Sequence, residues 1–371
     1  GVVILRDSFS DKDMRTLTRS FAGSSTDKPL HVEESLLGWM QINKRPLLLN
    51  HPDEDPRFAG VAWDESLSSV LCVPLLLKSE LTGMLAVFNG RGSSGFNEDD
   101  QRLLSILAAQ SAQIIENARL REREKALFRM QEELRLASHI QMDLLPSESP
   151  VVSGYDISGA SAPAEAVGGD YYDFAPFDDG RLAICLGDVS GKGLSAAMLM
   201  ANLQAAIRSQ TLLDLPPDRC LSNANVLLSR CTDLDRFATC FFAVLDPDRD
   251  EVSYSNAGHD PPMLVSSDGS LRRLDVGGLV LGFQEASSYD ADSVRMGPGD
   301  TLVVYSDGIT DAVAEAEEPF GEERLCETIR DLREESADQM IRELYRVVRE
   351  HAGDAGQPDD MTIIVVKREA T

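Results

Sequence analysis

Apolar and polar positions follow three different rhythms along this chain. Up to about residue 110, short apolar runs at 2–5, 46–49, 70–77 and 83–88 predict strands. Leu75, Leu76 and Leu77, then the polar tip Lys78, Ser79 and Glu80, then the run 81–88 read as a hairpin. Asn97 followed by Glu98, Asp99 and Asp100 predicts a helix start. An Asn side chain accepts the free N–H groups of a first turn, and acidic residues there suit the helix dipole. From about 110 to 145 no Gly or Pro appears before Pro146. Leu127, Met130, Leu134, Ala137, Gln141 and Leu144 recur there at alternating steps of three and four, the a/d seam of a coiled coil. Leu120 extends the seam and Arg123 interrupts it.

Beyond residue 147 strand-like runs (182–186, 240–245, 252–256, 263–266, 301–305, 361–366) alternate with helical patterns at 194–209, 217–231, 321–335 and 337–351. Hairpin-connected strands among long helices predict an α+β class, with antiparallel sheets and helices packed outside. The reading is thus of three parts: a sensory domain over 1–110, a helical dimerisation linker over 111–146, and a larger domain over 147–371. The length of 371 residues suits two or three domains. The chain opens at Gly1 and enters an apolar run at once, so it is expected to begin inside a domain.

Asp and Glu total 62 against 35 Lys and Arg, a net charge of -27. Such a surface repels phosphate backbones and anionic lipid, which argues against nucleic acid or a membrane surface as partner. No apolar run reaches the roughly 20 residues of a membrane span. The six cysteines form no C-x-x-C pair. This predicts a reduced, cytoplasmic chain, with Cys72 and Cys185 acting as small core hydrophobes.

What charge alone leaves open, position narrows. Four acidic motifs fall where strands begin or end: Gly168-Gly169-Asp170, Gly187-Asp188-Val189, Ser306-Asp307-Gly308 and Asp359-Asp360. A carboxylate at the end of a buried strand is held by the sheet, and several such ends can converge. Converging anions need a cation, because uncompensated charge is costly away from water. Oxygen ligands without His or Cys suit Mg²⁺ or Mn²⁺. Two such ions together can activate a water and hold a phosphoryl group, hydrolysing a phosphate ester without a covalent enzyme intermediate. Glycines beside the acids admit a backbone carbonyl to the ligand set. Each motif alone is a common turn; four in order are not.

These stretches, with Leu144-Leu145-Pro146, the run 166–174, the run 187–193 and Asn256-Ala257-Gly258-His259-Asp260-Pro261-Pro262, resemble the SpoIIE-type branch of the metal-dependent protein phosphatases, the fold class of protein phosphatase 2C. The resemblance covers about 138–367. It implies a β-sandwich flanked by helices, two Mn²⁺ or Mg²⁺ ions, and a phosphoserine or phosphothreonine substrate on a partner protein, often a STAS-type anti-sigma-factor antagonist. Carried over residue by residue, Asp188 bridges both ions, Asp307 and Asp359 complete the first, and Asp170 with the Val189 carbonyl serves the second. Asp360 stands behind them. The chain departs from the family pattern at Asp260, where Asn is usual, and at Val280, where Pro is usual. His259 is expected to brace the turn at Gly258 rather than to act as an acid. Lys192 is read equally as a phosphate contact or a solvent-facing residue, and Ser190 has no apparent base.

The first part resembles the later portion of a GAF domain, through Arg45-Pro46-Leu47, Asp55-Pro56-Arg57, the runs 69–75 and 81–87, and Phe96 to Asp100. That implies a small ligand or signal at this domain, with Cys72 a core residue rather than a chromophore anchor. Together these expectations describe a signal-regulated homodimeric phosphatase. The rivals are a non-catalytic partner-binding module and an enzyme of small phosphorylated metabolites.

Overall fold

The computed structural model describes residues 2–6, 14–18, 33–90, 95–231, 236–314, 318–353 and 356–370. The chain divides into two compact units, Gly1–Arg129 and Met130–Thr371.

In the first unit, β1 (Val2–Arg6), β2 (Met14–Thr18), β3 (Leu47–Leu49), β4 (Val70–Leu77) and β5 (Glu80–Phe88) form an antiparallel sheet of order β2-β1-β5-β4-β3. The expected hairpin is β4–β5, and its tip turns through Lys78 and Ser79 at positive φ. Helix α1 (Glu33–Asn43) covers one face, where Leu36, Leu37 and Met40 pack on Leu47, Cys72 and Met84. The start of α2 (Glu98–Met142) covers the other, with Leu104, Ala108 and Ala112 on Leu71, Val73 and Leu75. Cys72 is fully buried, and burial pushes its thiol up to about 12, which suits a core residue. Asn97 caps α2 as expected, accepting the N–H groups of Asp99 and Asp100 at 2.8 and 3.0 Å.

The 45 residues of α2 form one uninterrupted helix. Along it Leu127 and Met130 are exposed, and Leu134 and Ala137 are half-buried, as is Leu144 just past its end. Gln141, the remaining seam position, is 9% exposed and turned into the second unit.

The second unit is α+β, a sandwich of two sheets with helices outside. One sheet contains β7 (Tyr171–Pro176), β8 (Leu182–Val189), β9 (Ala238–Asp246), β10 (Glu251–Ala257) and β13 (Gly277–Gly278), in the order β13-β10-β9-β8-β7, with β14 (Asp292–Arg295) also paired to β10. The other contains β6 (Tyr155–Ala162), β11 (Met263–Val265), β12 (Leu271–Arg273), β15 (Thr301–Tyr305) and β16 (Met361–Arg368), in the order β12-β11-β15-β16-β6. Leu182, Ile184, Leu186, Phe241 and Tyr254 from the first sheet meet Leu264, Leu302, Val304 and Ile364 from the second in a common core. Helices α3 (Leu194–Thr211) and α4 (Pro217–Ser229) cover the outer face of the first sheet, with Met200, Leu203 and Leu221 packed on Cys185, Cys240 and Phe242. On the second sheet lie α6 (Gly321–Asp331) and α7 (Ala337–Ala352); the short α5 (Asp307–Thr310) follows β15 directly. The apolar runs read in the sequence became β8, β9, β10, β11, β15 and β16. β6 and β7 were not expected. The five cysteines at 72, 185, 220, 240 and 326 are buried, Cys231 is exposed, and all six are free thiols. Among the described residues no helix is long and apolar enough to cross a membrane.

Candidate active site

Strand pairing explains why distant acids meet. β7 and β8 are antiparallel with Tyr171 opposite Gly187, so Asp170 before one strand lies beside Asp188 near the end of the other. β15 and β16 are antiparallel with Tyr305 opposite Ile363, so Asp307 after one strand lies beside Asp359 and Asp360 before the other. Ser306 closes this second corner: it donates from its backbone to Thr362 O at 3.0 Å, and its hydroxyl accepts the Thr362 N–H at 2.9 Å. Asp188, Asp359 and Asp360 line one cleft with Gly168, Gly169, Lys192 and Glu165.

Asp360 ties the two corners together. Its carboxylate accepts the N–H of Ala164 at 2.8 Å and that of Gly169 at 2.6 Å. A Cβ on Gly169 would stand 2.8 Å from the Val189 carbonyl oxygen and 3.3 Å from Asp188 Oδ1. Only glycine lets this loop approach the end of β8 so closely.

The electrostatics follow from this crowding. Asp170 is 4% exposed, and burial, then Asp188, holds its carboxyl well above the usual range. Burial first, then Asp307, Asp359 and Asp360, pushes Asp188 up to about 7. Asp307 is raised by burial and then by Asp359 and Asp311. Like charges gathered out of water disfavour ionisation until a cation offsets them. Lys192 enters this field: its ammonium lies 3.1 Å from Asp359 Oδ2 and donates to Pro358 O at 2.7 Å. It faces solvent, as one of the two sequence readings had it, and from there pairs with the Asp359 corner.

The donors fit hard divalent cations. Asp170 Oδ2 is buried with no hydrogen-bond partner, as a ligand oxygen held for an ion would be. The available donors are carboxylate and carbonyl oxygens, the set Mg²⁺ and Mn²⁺ prefer. Among the described residues no three His, Cys, Asp or Glu side chains close into a ready cage.

Neighbouring polar residues have structural work. Asp173 is buried under a two-point contact from Arg208, Nε to Oδ2 at 2.6 Å and Nη2 to Oδ1 at 2.9 Å, so it belongs to the α3 packing. The Ser190 hydroxyl accepts the Phe237 N–H at 3.0 Å. His259 braces its turn: its N–H donates to Asn256 Oδ1 at 2.7 Å and its carbonyl accepts from Asn256 Nδ2 at 3.0 Å. Gly258 holds φ at 65° there, and a Cβ would run into Val280. The sequence reading missed Asp260 as a charge near the site. Burial, then Asp307, Asp311 and Glu322, pushes it up to about 6. It also missed Glu165 and Gln141; Glu165 stands in an unpatterned loop, and the Gln141 spacing pointed elsewhere.

Comparison with known proteins adds the following. The family model described as stage II sporulation protein E (SpoIIE) matches residues 178–369, and a GAF domain model matches residues 1–116. Protein IcfG of Synechocystis sp. is 33% identical over 266 residues, 64% of this chain and 41% of that protein. Phosphoserine phosphatase RsbU of Bacillus subtilis is 31% identical over 245 residues, 64% of this chain and 70% of that protein. The chain thus spans less than half the length of IcfG. Among solved structures, the SiaA-PP2C domain of Pseudomonas aeruginosa superposes with a TM-score of 0.59 at 22% identity, over 65% of this chain and 98% of that one, a likeness of fold. The RsbU and RsbW domains of Rv1364c from Mycobacterium tuberculosis superpose with a TM-score of 0.54 at 26% identity, over 61% and 63%.

Proposed function

The chain belongs to the SpoIIE family of PP2C-type phosphatase domains, with a GAF domain before it, and on that footing we propose that it is a signal-regulated, metal-dependent serine/threonine protein phosphatase. In this reading 1–110 senses a small ligand or signal, 111–146 is a linker that pairs with a second copy, and 147–371 carries the chemistry. The substrate is a phosphoserine or phosphothreonine on a partner protein of the STAS type. The name of RsbU as a phosphoserine phosphatase supports the reaction class.

Asp170, Asp188, Asp307, Asp359 and the Val189 carbonyl would hold two Mn²⁺ or Mg²⁺ ions, with Asp188 common to both. Bound ions would supply an activated water at neutral pH and positive charge for the phosphoryl oxygens. The chain's own residues set the frame. Asp360 fixes the Gly169 loop against the end of β8, and Lys192 steadies Asp359. The Ser190 hydroxyl is engaged with the Phe237 N–H, which favours direct attack by water over a phosphoserine intermediate. The observation that carries the proposal is the unpartnered, buried Asp170 Oδ2 beside an Asp188 carboxyl pushed up to about 7 by burial and its acidic neighbours.

The test is hydrolysis of p-nitrophenyl phosphate and of a phosphorylated STAS-type protein with added Mn²⁺, with and without chelator, beside Asp188→Asn. Metal-dependent turnover, abolished in the variant while its fold persists, is the expected result. Substantial turnover by Asp188→Asn would sink the site assignment. Tight, metal-independent binding of the partner without turnover would favour the binding-module reading.

A further inference from the structure

Near the end of α2 one side chain satisfies both backbone polar groups of a buried residue. Gln141 Nε2 donates to Gly168 O at 2.6 Å, and Gly168 N–H donates to Gln141 Oε1 at 3.0 Å. Both residues are buried and belong to the same compact unit. The Gln141 amide acts here as a strand neighbour would, meeting a donor and an acceptor that water does not reach. On its other side Gly168 is closed in by Asp360, whose carboxylate a Cβ would strike. The loop that ends in Asp170 and presses Gly169 against the Val189 carbonyl is therefore held at two points, Asp360 just before β16 and Gln141 from α2.

The helix end itself is anchored. Leu145, just past the end of α2, packs into both the inter-sheet core and the core beneath α3 and α4. Its Gln141 carboxamide is the part of α2 that reaches the loop, and it does so through hydrogen bonds with strict geometry. A shift or rotation of this helix end breaks both bonds together, since they share one planar group.

We propose that Gln141 is a positioning residue of the active site: it sets the Gly168 loop, and through it Asp170, according to where the end of α2 sits. This rests on the phosphatase reading for its catalytic consequence and on the hydrogen bonds for its structural one. Gln141 touches no reacting atom. Its contribution appears in metal affinity, because the loop must be in place before an ion can be shared between Asp170 and Asp188.

The experiment uses the full chain and two variants, Gln141→Ala and Gln141→Met, the second matching the side-chain volume without the hydrogen bonds. Hydrogen–deuterium exchange is followed without metal in peptides covering 164–172, with β15 and β16 as internal reference. Mn²⁺ titrations of p-nitrophenyl phosphate hydrolysis run in parallel. In both variants exchange over 164–172 should quicken by roughly tenfold or more, as expected from losing two buried hydrogen bonds, while the reference strands keep their rates. The Mn²⁺ concentration for half-maximal activity should rise by about tenfold, with kcat at saturating Mn²⁺ within about threefold of wild type. If Gln141→Ala does not fold, Gln141→Met decides. A Met variant with wild-type exchange and metal response would overturn the proposal, as would uniformly faster exchange throughout the unit, the sign of a merely structural role. A wild-type chain without metal-dependent turnover would bring down the phosphatase reading and the catalytic consequence with it, and the exchange data alone would then decide whether Gln141 holds the loop.

Discussion

Gly169 donates its backbone N–H to Asp360 Oδ2 at 2.6 Å, across 191 positions of sequence and from one sheet of the sandwich to the other. The same carboxylate takes the Ala164 N–H at 2.8 Å. The geometry between the two acidic corners is thus kept by an acid at the cleft that is not a predicted ligand and has its oxygens engaged with backbone.

Removing that carboxylate should loosen the corners without touching a predicted ligand. Asp360→Ala removes the acceptor of three backbone donors, Ala164, Gly169 and Asp170, and an unmet buried donor costs about 1–3 kcal/mol. For a unit the size of Met130–Thr371 each kcal/mol lost lowers Tm by roughly 2–4 °C, so a fall of several degrees is expected. Asp360→Asn keeps one acceptor oxygen and should lose less. Calorimetry and initial rates at a fixed, sub-saturating Mn²⁺ concentration check this. An Asp360→Ala protein with unchanged Tm and unchanged rate would show that the loop is held by other means.

Asp173 makes the complementary case, an acid of the Gly-Gly-Asp-Tyr-Tyr-Asp stretch that serves packing. It is buried, accepts both bonds from Arg208, and takes the Tyr171 hydroxyl at 2.7 Å and the Phe174 N–H at 2.9 Å. Arg208→Ala would leave that charge buried and uncompensated. Breaking a buried pair costs about 3–5 kcal/mol, and the half-exposed Arg208 side chain brings the expected loss here nearer the bottom of that span. Arg208→Lys restores charge without the two-pronged contact and should fall between. Urea unfolding measures the loss, and turnover per folded molecule should stay within about twofold. A drop in turnover without a drop in stability would place Asp173 in the site after all.

These two acids mark what could be read from sequence and what could not. The strands with continuous apolar runs, β8, β9, β15 and β16, were legible because buried strands must be apolar on both faces. β6 was not: its Ser158, Gly159, Ala160, Ser161 and Ala162 are small, and at Gly159 a Cβ would stand 2.7 Å from the Tyr172 ring, so close packing removed the apolar signal. β7 was missed because a site motif runs straight into it, and Gly168-Gly169-Asp170 reads as a loop. Asp170, Asp188, Asp307 and Asp359 stood out because strand ends position them. The partners that hold their loops did not. Gln141 fits the seam spacing of α2, and nothing in its neighbours shows that its amide reaches Gly168, 27 residues on. Such contacts depend on tertiary geometry that periodicity does not encode.

His259 gives the clearest prediction in pH. Its ring is 5% exposed, Nδ1 lies 2.9 Å from Thr239 Oγ1, and Nε2 has no hydrogen-bond partner. Burial lowers its pKa from 6.5 to about 4, so the ring is neutral wherever the enzyme would work. The sign follows. Above pH 6.5 both folded and unfolded chains hold a neutral ring and nothing is lost. As pH falls from 6.5 towards 4 the unfolded chain gains a proton that the folded one refuses, and stability declines by about 2–3 kcal/mol by pH 4.5. His259→Gln removes this titration, so its urea midpoint should change less than that of wild type between pH 7.5 and 4.5, whatever the cost of the substitution at pH 7.5. The pH–rate profile of the wild type should likewise show no limb near 6.5 that the variant lacks. A general acid would behave otherwise: His259→Gln would then lose turnover by orders of magnitude with its fold intact, and an ionisation would disappear from the profile.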